Sequence, residues 1–168
     1  MKTNRLLLTL AAIAASVTCA FSQVTATGHI AVTIVTPISI TKTQDMNFGH
    51  VSVESGMGRV TLSPESQARQ VSGDVELMDG GAVSVASFKV KGYQGATFSI
   101  SLPQSPVMIS NGNKSMMVTD FTSTPSGFGD LSDGSKDVKV GATLVVTGDQ
   151  ILGEYASVSP FPVTVNYN

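Results

Sequence analysis

The chain has 168 residues, with ten Lys+Arg, twelve Asp+Glu, two His, one Cys and no Trp. That length fits one domain. A slightly acidic balance excludes nucleic-acid binding and anionic-membrane binding as the main task, because both need basic patches.

The amino terminus reads first. "MKTNR" provides Lys2 and Arg5 as a basic start, and "LLLTLAAIAASVTCAF" is an apolar run short for a bilayer span. Small Ala20 and Ser22 in "AFSQ" then fit cleavage after Ser22, with cleavage after Ala20 as the alternative. We therefore expect a signal peptide over 1–22 and an exported mature chain; an uncleaved anchor helix is the competing reading. Thr18 before Cys19 disfavours a lipoprotein, whose signal wants Gly or Ala there. Cleavage removes two of the ten cationic residues and none of the acidic ones, leaving 8 against 12, a net −4. It also removes the only Cys, so residues 23–168 hold no disulfide and depend on their core. A chain of this size buries about 70% of its unfolded surface, which is sufficient.

Residues 23–168 are patterned almost entirely as strands. "GHIAVTIVTPISITK" puts Ile30, Val32, Ile34, Ile38 and Ile40 in one parity, with Pro37 as a bend or edge marker. "MNFGHVSV" and "GRVTLSP" predict two short strands around a turn, "ESGMG". "QVSGDVELM" aligns Val71, Gly73, Val75 and Leu77, and "SFKVKGY" turns Phe88 and Val90 inward with Lys89 and Lys91 outward. "ATFSISLP" alternates Phe98, Ile100 and Leu102 with Thr97, Ser99 and Ser101. Asn111-Gly112 signals a hairpin. "TSTPSGFGDLSDGSKD", residues 122–137, predicts an exposed loop. "VKVGATLVVTG" aligns Val138, Val140, Ala142, Leu144 and Val146, and "PFPVTVNYN" aligns Phe161, Val163, Val165 and Tyr167.

No segment after the signal holds a 3.6-residue period for three turns. Short strands between Gly, Pro, Ser, Asn and Asp predict an all-β fold, an antiparallel immunoglobulin-like or pilin-like β-sandwich. An outer-membrane barrel is disfavoured, because its strands need about 9–11 residues and several here are shorter.

Catalytic chemistry is hard to find. His29 lies opposite the apolar parity of its segment, and His50 follows Asn47-Phe48-Gly49 as a turn residue. No Gly-x-Ser-x-Gly elbow, phosphate loop or zinc-protease motif occurs. We expect no enzyme and no cofactor. Asp130, Asp133 and Asp137 are candidates for a hard cation, although a solvated turn explains them better. "GYQG", 92–95, reads as a tight turn with a packed Tyr93, and a ligand platform is the sharper alternative. Asn113-Lys114-Ser115 matches a glycosylation acceptor.

The chain ends carry more. The alternating stretch "QVTATGHIAVTIVT" and the final strand each need a partner edge. They can pair within one sandwich. Otherwise Gly28, Ile30, Val32 and Ile34 can dock in the groove of another copy beside its last strand, by β-strand addition.

"MNFGHV", "VTLSP", "FKVKGYQGATFSISLP", "VGATLVV" and "GEYASVSPFPVTVNYN", in that order, resemble a bacterial exported family known as domain of unknown function 4402, over roughly residues 36 to 168. The resemblance implies export and an all-β fold and no established activity. The chain is more loosely similar to chaperone-usher pilin subunits and to the spore coat protein U group. Gly153 and the penultimate Tyr167 occupy places similar to theirs, while the absent disulfide departs from them. That similarity implies other copies or related subunits, and a periplasmic chaperone, as partners. The expected function is a structural or adhesive subunit of a cell-surface assembly in the periplasm, on the outer surface or outside the cell. A self-contained binding module for glycan or protein is the alternative.

Overall fold

The computed structural model describes residues 23–168, so the expected signal peptide lies outside the described residues. The chain divides into two units, residues 1–34 and 35–168. In the first, residues 23–34 carry no strand or helix, and their side chains are exposed.

The second unit is all β. Its strands are β1 (Ser39–Gln44), β2 (Asn47–Leu62), β3 (Arg69–Ser84), β4 (Ala86–Lys91), β5 (Thr97–Ser101), β6 (Val107–Asn111), β7 (Lys114–Thr124), β8 (Phe128–Asp130), β9 (Ser135–Thr147), β10 (Ala156–Ser157) and β11 (Thr164–Tyr167). Eight form one sheet ordered β1-β4-β9-β7-β6-β10, with β2 joining β9 and carrying β3 outside it. The other three form a small sheet, β11-β5-β8. Every pairing is antiparallel, and the expected antiparallel sandwich is what forms.

Strand β9 is the spine. Its first half pairs with β4 and its second half with β2, while β7 covers the opposite edge. Val138 and Val140 enter one core cluster, with Ala86 and Val90 of β4, Phe98 and Ile100 of β5, Leu131, and Val165 of β11. Ala142, Leu144 and Val146 enter a second, with Val60, Val75, Met116 and Val118. The opposite parity is buried too: Val145 is covered, and the Thr143 hydroxyl meets that of Thr61 at 3.0 Å. A central strand buried on both faces reads as a continuous apolar run, as "GATLVV" does.

Elsewhere the structure redraws the sequence reading. The stretch from Gly28 to Lys42 is not one strand, since pairing begins only at Ser39, after Pro37. Proline has no N–H to give a ladder, and alternation alone cannot make a strand without an edge to bond. The two strands expected around "ESGMG" are one, β2, with a bulge between Val53 and Gly58. The Asp74 carboxylate accepts N–H bonds from Ser55 (3.0 Å) and Gly56 (2.6 Å), so the extra residues are tied to β3. His50 consequently lies in a strand and not in a turn. Of the aligned residues of β3, an edge strand, only Val75 is buried, while Val71 and Leu77 stay exposed.

The loop expected at 122–137 is not a loop. It contains β8 and a fully buried Leu131, whose N–H bonds the Ala96 carbonyl at 2.8 Å. The hairpin forms, but its central pair is Gly112-Asn113, since Asn111 pairs with Lys114. Gly112 has φ +58°, and a glycine in the first central position suits the right-handed twist of the strands.

Candidate functional site

The two chain ends bear the residues singled out from the sequence, and they behave differently. At the carboxyl end, β11 pairs with β5 in one register: Thr164 with Ser101, Val165 with Ile100, Asn166 with Ser99, Tyr167 with Phe98. The Asn168 N–H continues the ladder to the Thr97 carbonyl at 3.2 Å. Val165 is 8% exposed, and Phe161, Val163 and Tyr167 are half-buried against the same core cluster, with Thr164 and Asn166 outside. The Phe161 ring packs on Phe121 at 5.2 Å between centroids and meets Phe88 edge-on at 6.4 Å. The predicted parity of "PFPVTVNYN" is therefore the observed one.

At the amino end the same kind of pattern is bare. Ile30, Val32 and Ile34 are 101%, 86% and 92% exposed, and nothing lies within 4 Å of a Cβ placed on Gly28.

A hydroxyl ties the last strand to the start of the sandwich. Tyr167 Oη accepts the Tyr93 N–H at 2.6 Å and donates to the Thr36 carbonyl at 2.6 Å. Gly92 makes room for it, since a Cβ there would collide with the hydroxyl oxygen. Gly92 is not among the glycines with positive φ, so close approach is the reason for glycine. The turn at "GYQG" closes with the Ala96 N–H on the Tyr93 carbonyl at 3.1 Å, as expected. Tyr93, however, is 48% exposed, and the group it gives to the Tyr167 hydroxyl is its backbone N–H. In the sequence Tyr167 and "GYQG" stand as separate features, and no local pattern joins groups 74 residues apart.

The edges of the sandwich differ in how open they are. Among the described residues, β1, β3, β8, β10 and β11 each pair on one side only. β3 is the longest, with 16 residues, but Gly73 and Gly80 interrupt it at φ +80° and +92°. The stretch between them bears Asp74, Glu76 and Asp79. Kinks and like charges are how natural sheets blunt an edge. β1 and β11 are short, and β11 bears no charged residue.

The cation candidates do not converge. Asp130 accepts from the Ser132 hydroxyl and from Lys136 (3.3 Å), which together hold its carboxyl below the ordinary aspartate range. Asp137 faces Lys89 at 2.8 Å. Among the described residues no group of three His, Cys, Asp or Glu, Asp133 included, is placed to hold a metal ion. A recess of about 290 Å³ between Pro64, Glu65, Thr124, Pro125, Lys136 and Lys139 is open and shallow. Among the described residues, no helix is long and apolar enough to cross a membrane.

The second unit is thus an antiparallel β-sandwich whose most developed feature is the linkage of its last strand to its start. The pattern of the family described as Domain of unknown function (DUF4402) matches residues 38–167, and the chain belongs to that family. No curated protein and no solved structure matches it.

Proposed function

We propose that this protein is a structural or adhesive subunit of a bacterial cell-surface assembly, in which residues 24–36 of one copy add as a strand to the sandwich of another. The observation that carries the reading is the exposure of Ile30, Val32 and Ile34, three branched apolar side chains in one parity. Burying them would contribute about 4–9 kcal/mol before ordering costs, and main-chain bonds would supply register. The final strand offers an uncharged edge, and the longer edge of β3 is blunted. Export, with a periplasmic chaperone holding the subunit beforehand, belongs to the same reading. Deleting residues 24–36 tests it: the exported subunit should stay folded and lose concentration-dependent ladders on unboiled gels. A synthetic peptide of those residues should bind the truncated subunit. A full-length protein that stays monomeric at high concentration refutes the proposal.

A second reading, a self-contained glycan-binding module, is favoured by one face. On the outer side of the small sheet, Phe128, Ser99 and Asn166 stand in one cross-strand row, with Thr97, Ser101 and Thr164 beside them. Phe128 is 67% exposed. A bare ring among short hydroxyl and amide side chains suits stacking on a sugar ring. Loss of retention on immobilised oligosaccharides in Phe128→Ala, with assembly absent in the wild type, would put this reading first.

A further inference from the structure

We propose that the Tyr167 hydroxyl is a latch that fastens the root of the amino-terminal segment to the closing strand, so that docking of the last strand and presentation of residues 24–36 are linked. The role given to that segment rests on the strand-addition reading; the latch itself does not.

Three observations meet at one oxygen. The hydroxyl donates to the Thr36 carbonyl and accepts from the Tyr93 N–H, each at 2.6 Å. A phenol has one proton to give, and this one is directed at the chain two residues after the exposed Ile34. Gly92 leaves the space that the oxygen occupies. The ring is held by packing in the core cluster beneath, in register with Phe98. Its hydroxyl therefore reaches Thr36 only while β11 lies on β5. Anything that lifts β11 releases Thr36, and fixing Thr36 reciprocally favours the docked strand. The segment then starts from a fixed point, which lowers the ordering cost of adding it to another copy. Tyr167 is a positioning residue in this scheme and touches no ligand.

The test uses Tyr167→Phe, which keeps the ring and removes the hydroxyl, and Gly92→Ala, which crowds the hydroxyl out. Amide hydrogen exchange of the full exported chain reads the latch in the monomer. Each variant should exchange the Tyr93 amide about five- to ten-fold faster, the loss expected of one ordinary hydrogen bond, and should speed proteolysis next to Thr36. Amides of β9 should stay as protected as in the wild type. A Cβ at Gly92 would also press on Leu131 Cδ1 at 3.0 Å, so the double variant is compared with Gly92→Ala: adding Tyr167→Phe should speed the Tyr93 amide no further, because the bond to that oxygen is already lost. An unchanged Tyr93 amide, additive effects, or equal acceleration across β9 would each overturn the latch. Multimer size is scored separately. A wild type that never assembles removes the strand-addition reading and leaves the exchange result standing. In an assembling wild type, Tyr167→Phe should weaken association by the same several-fold factor.

Discussion

The two ends of this chain carry nearly the same binary pattern and meet opposite fates. Residues 30–34 place Ile, Val and Ile in alternation, and residues 161–167 place Phe, Val, Val and Tyr. The second set lies on a core, and its Val165 and Tyr167 pair with β5, whereas the first is exposed side chain by side chain. An apolar parity is thus a capacity for burial. Whether it is used depends on an edge with unspent N–H and C=O groups and on a core with room beneath it.

Matched charges sharpen that contrast most. Val165→Asp should abolish soluble accumulation, because it removes the ~1.5–3 kcal/mol from burying the valine and desolvates a carboxylate with no partner. Val32→Asp should leave the melting temperature of the isolated subunit close to that of the wild type, since exposed positions change stability by about 0.5 kcal/mol or less. Thr164→Asp, next to Val165 on the outer face, should be equally mild. Equal damage from Val32→Asp and Val165→Asp in a monomer would dissolve the difference between the ends.

A smaller cost tests the spine beneath the carboxyl-terminal strand. Val140→Ala removes two methyl groups from a fully buried site and should cost about 1–3 kcal/mol in denaturant titration. The same change at Val24, which is exposed, should cost almost nothing.

The smallest expected effect concerns the β2 bulge. Asp74 is held below the ordinary aspartate range by the N–H groups of Gly56 and then Ser55. A carboxyl whose folded value is depressed stabilises the fold above its unfolded value, and that contribution disappears as pH falls through the folded one. Acid titration below about pH 4, the ordinary aspartate value, should therefore loosen the bulge in the wild type. Asp74→Asn should flatten this dependence. An unchanged acid limb in Asp74→Asn would show that the bulge is held by the strands alone.

The hairpin at 107–118, the inward Phe98 and Ile100, and the parity of β11 follow from residues close in sequence, and all three were legible there. The candidate site was legible only in part. Tyr167 stands out in the sequence, but its hydrogen-bonding partners Thr36 and Tyr93, and Gly92 beside it, come from two other stretches of the chain. Leu131 was hidden among Ser, Gly and Asp, where one apolar residue sets no period.

The sequence by itself determined the class of fold, because side-chain alternation, β-branching and turn residues act over a few bonds and need no knowledge of neighbours. It determined also which face of most strands could be buried. Only the tertiary structure decided that β2 runs unbroken through a glycine-rich stretch, that Leu131 closes the core, and that one apolar end is covered while the other is bare. Those outcomes depend on which edges meet, and the free energy of an edge lies in hydrogen bonds and packing between residues far apart along the chain.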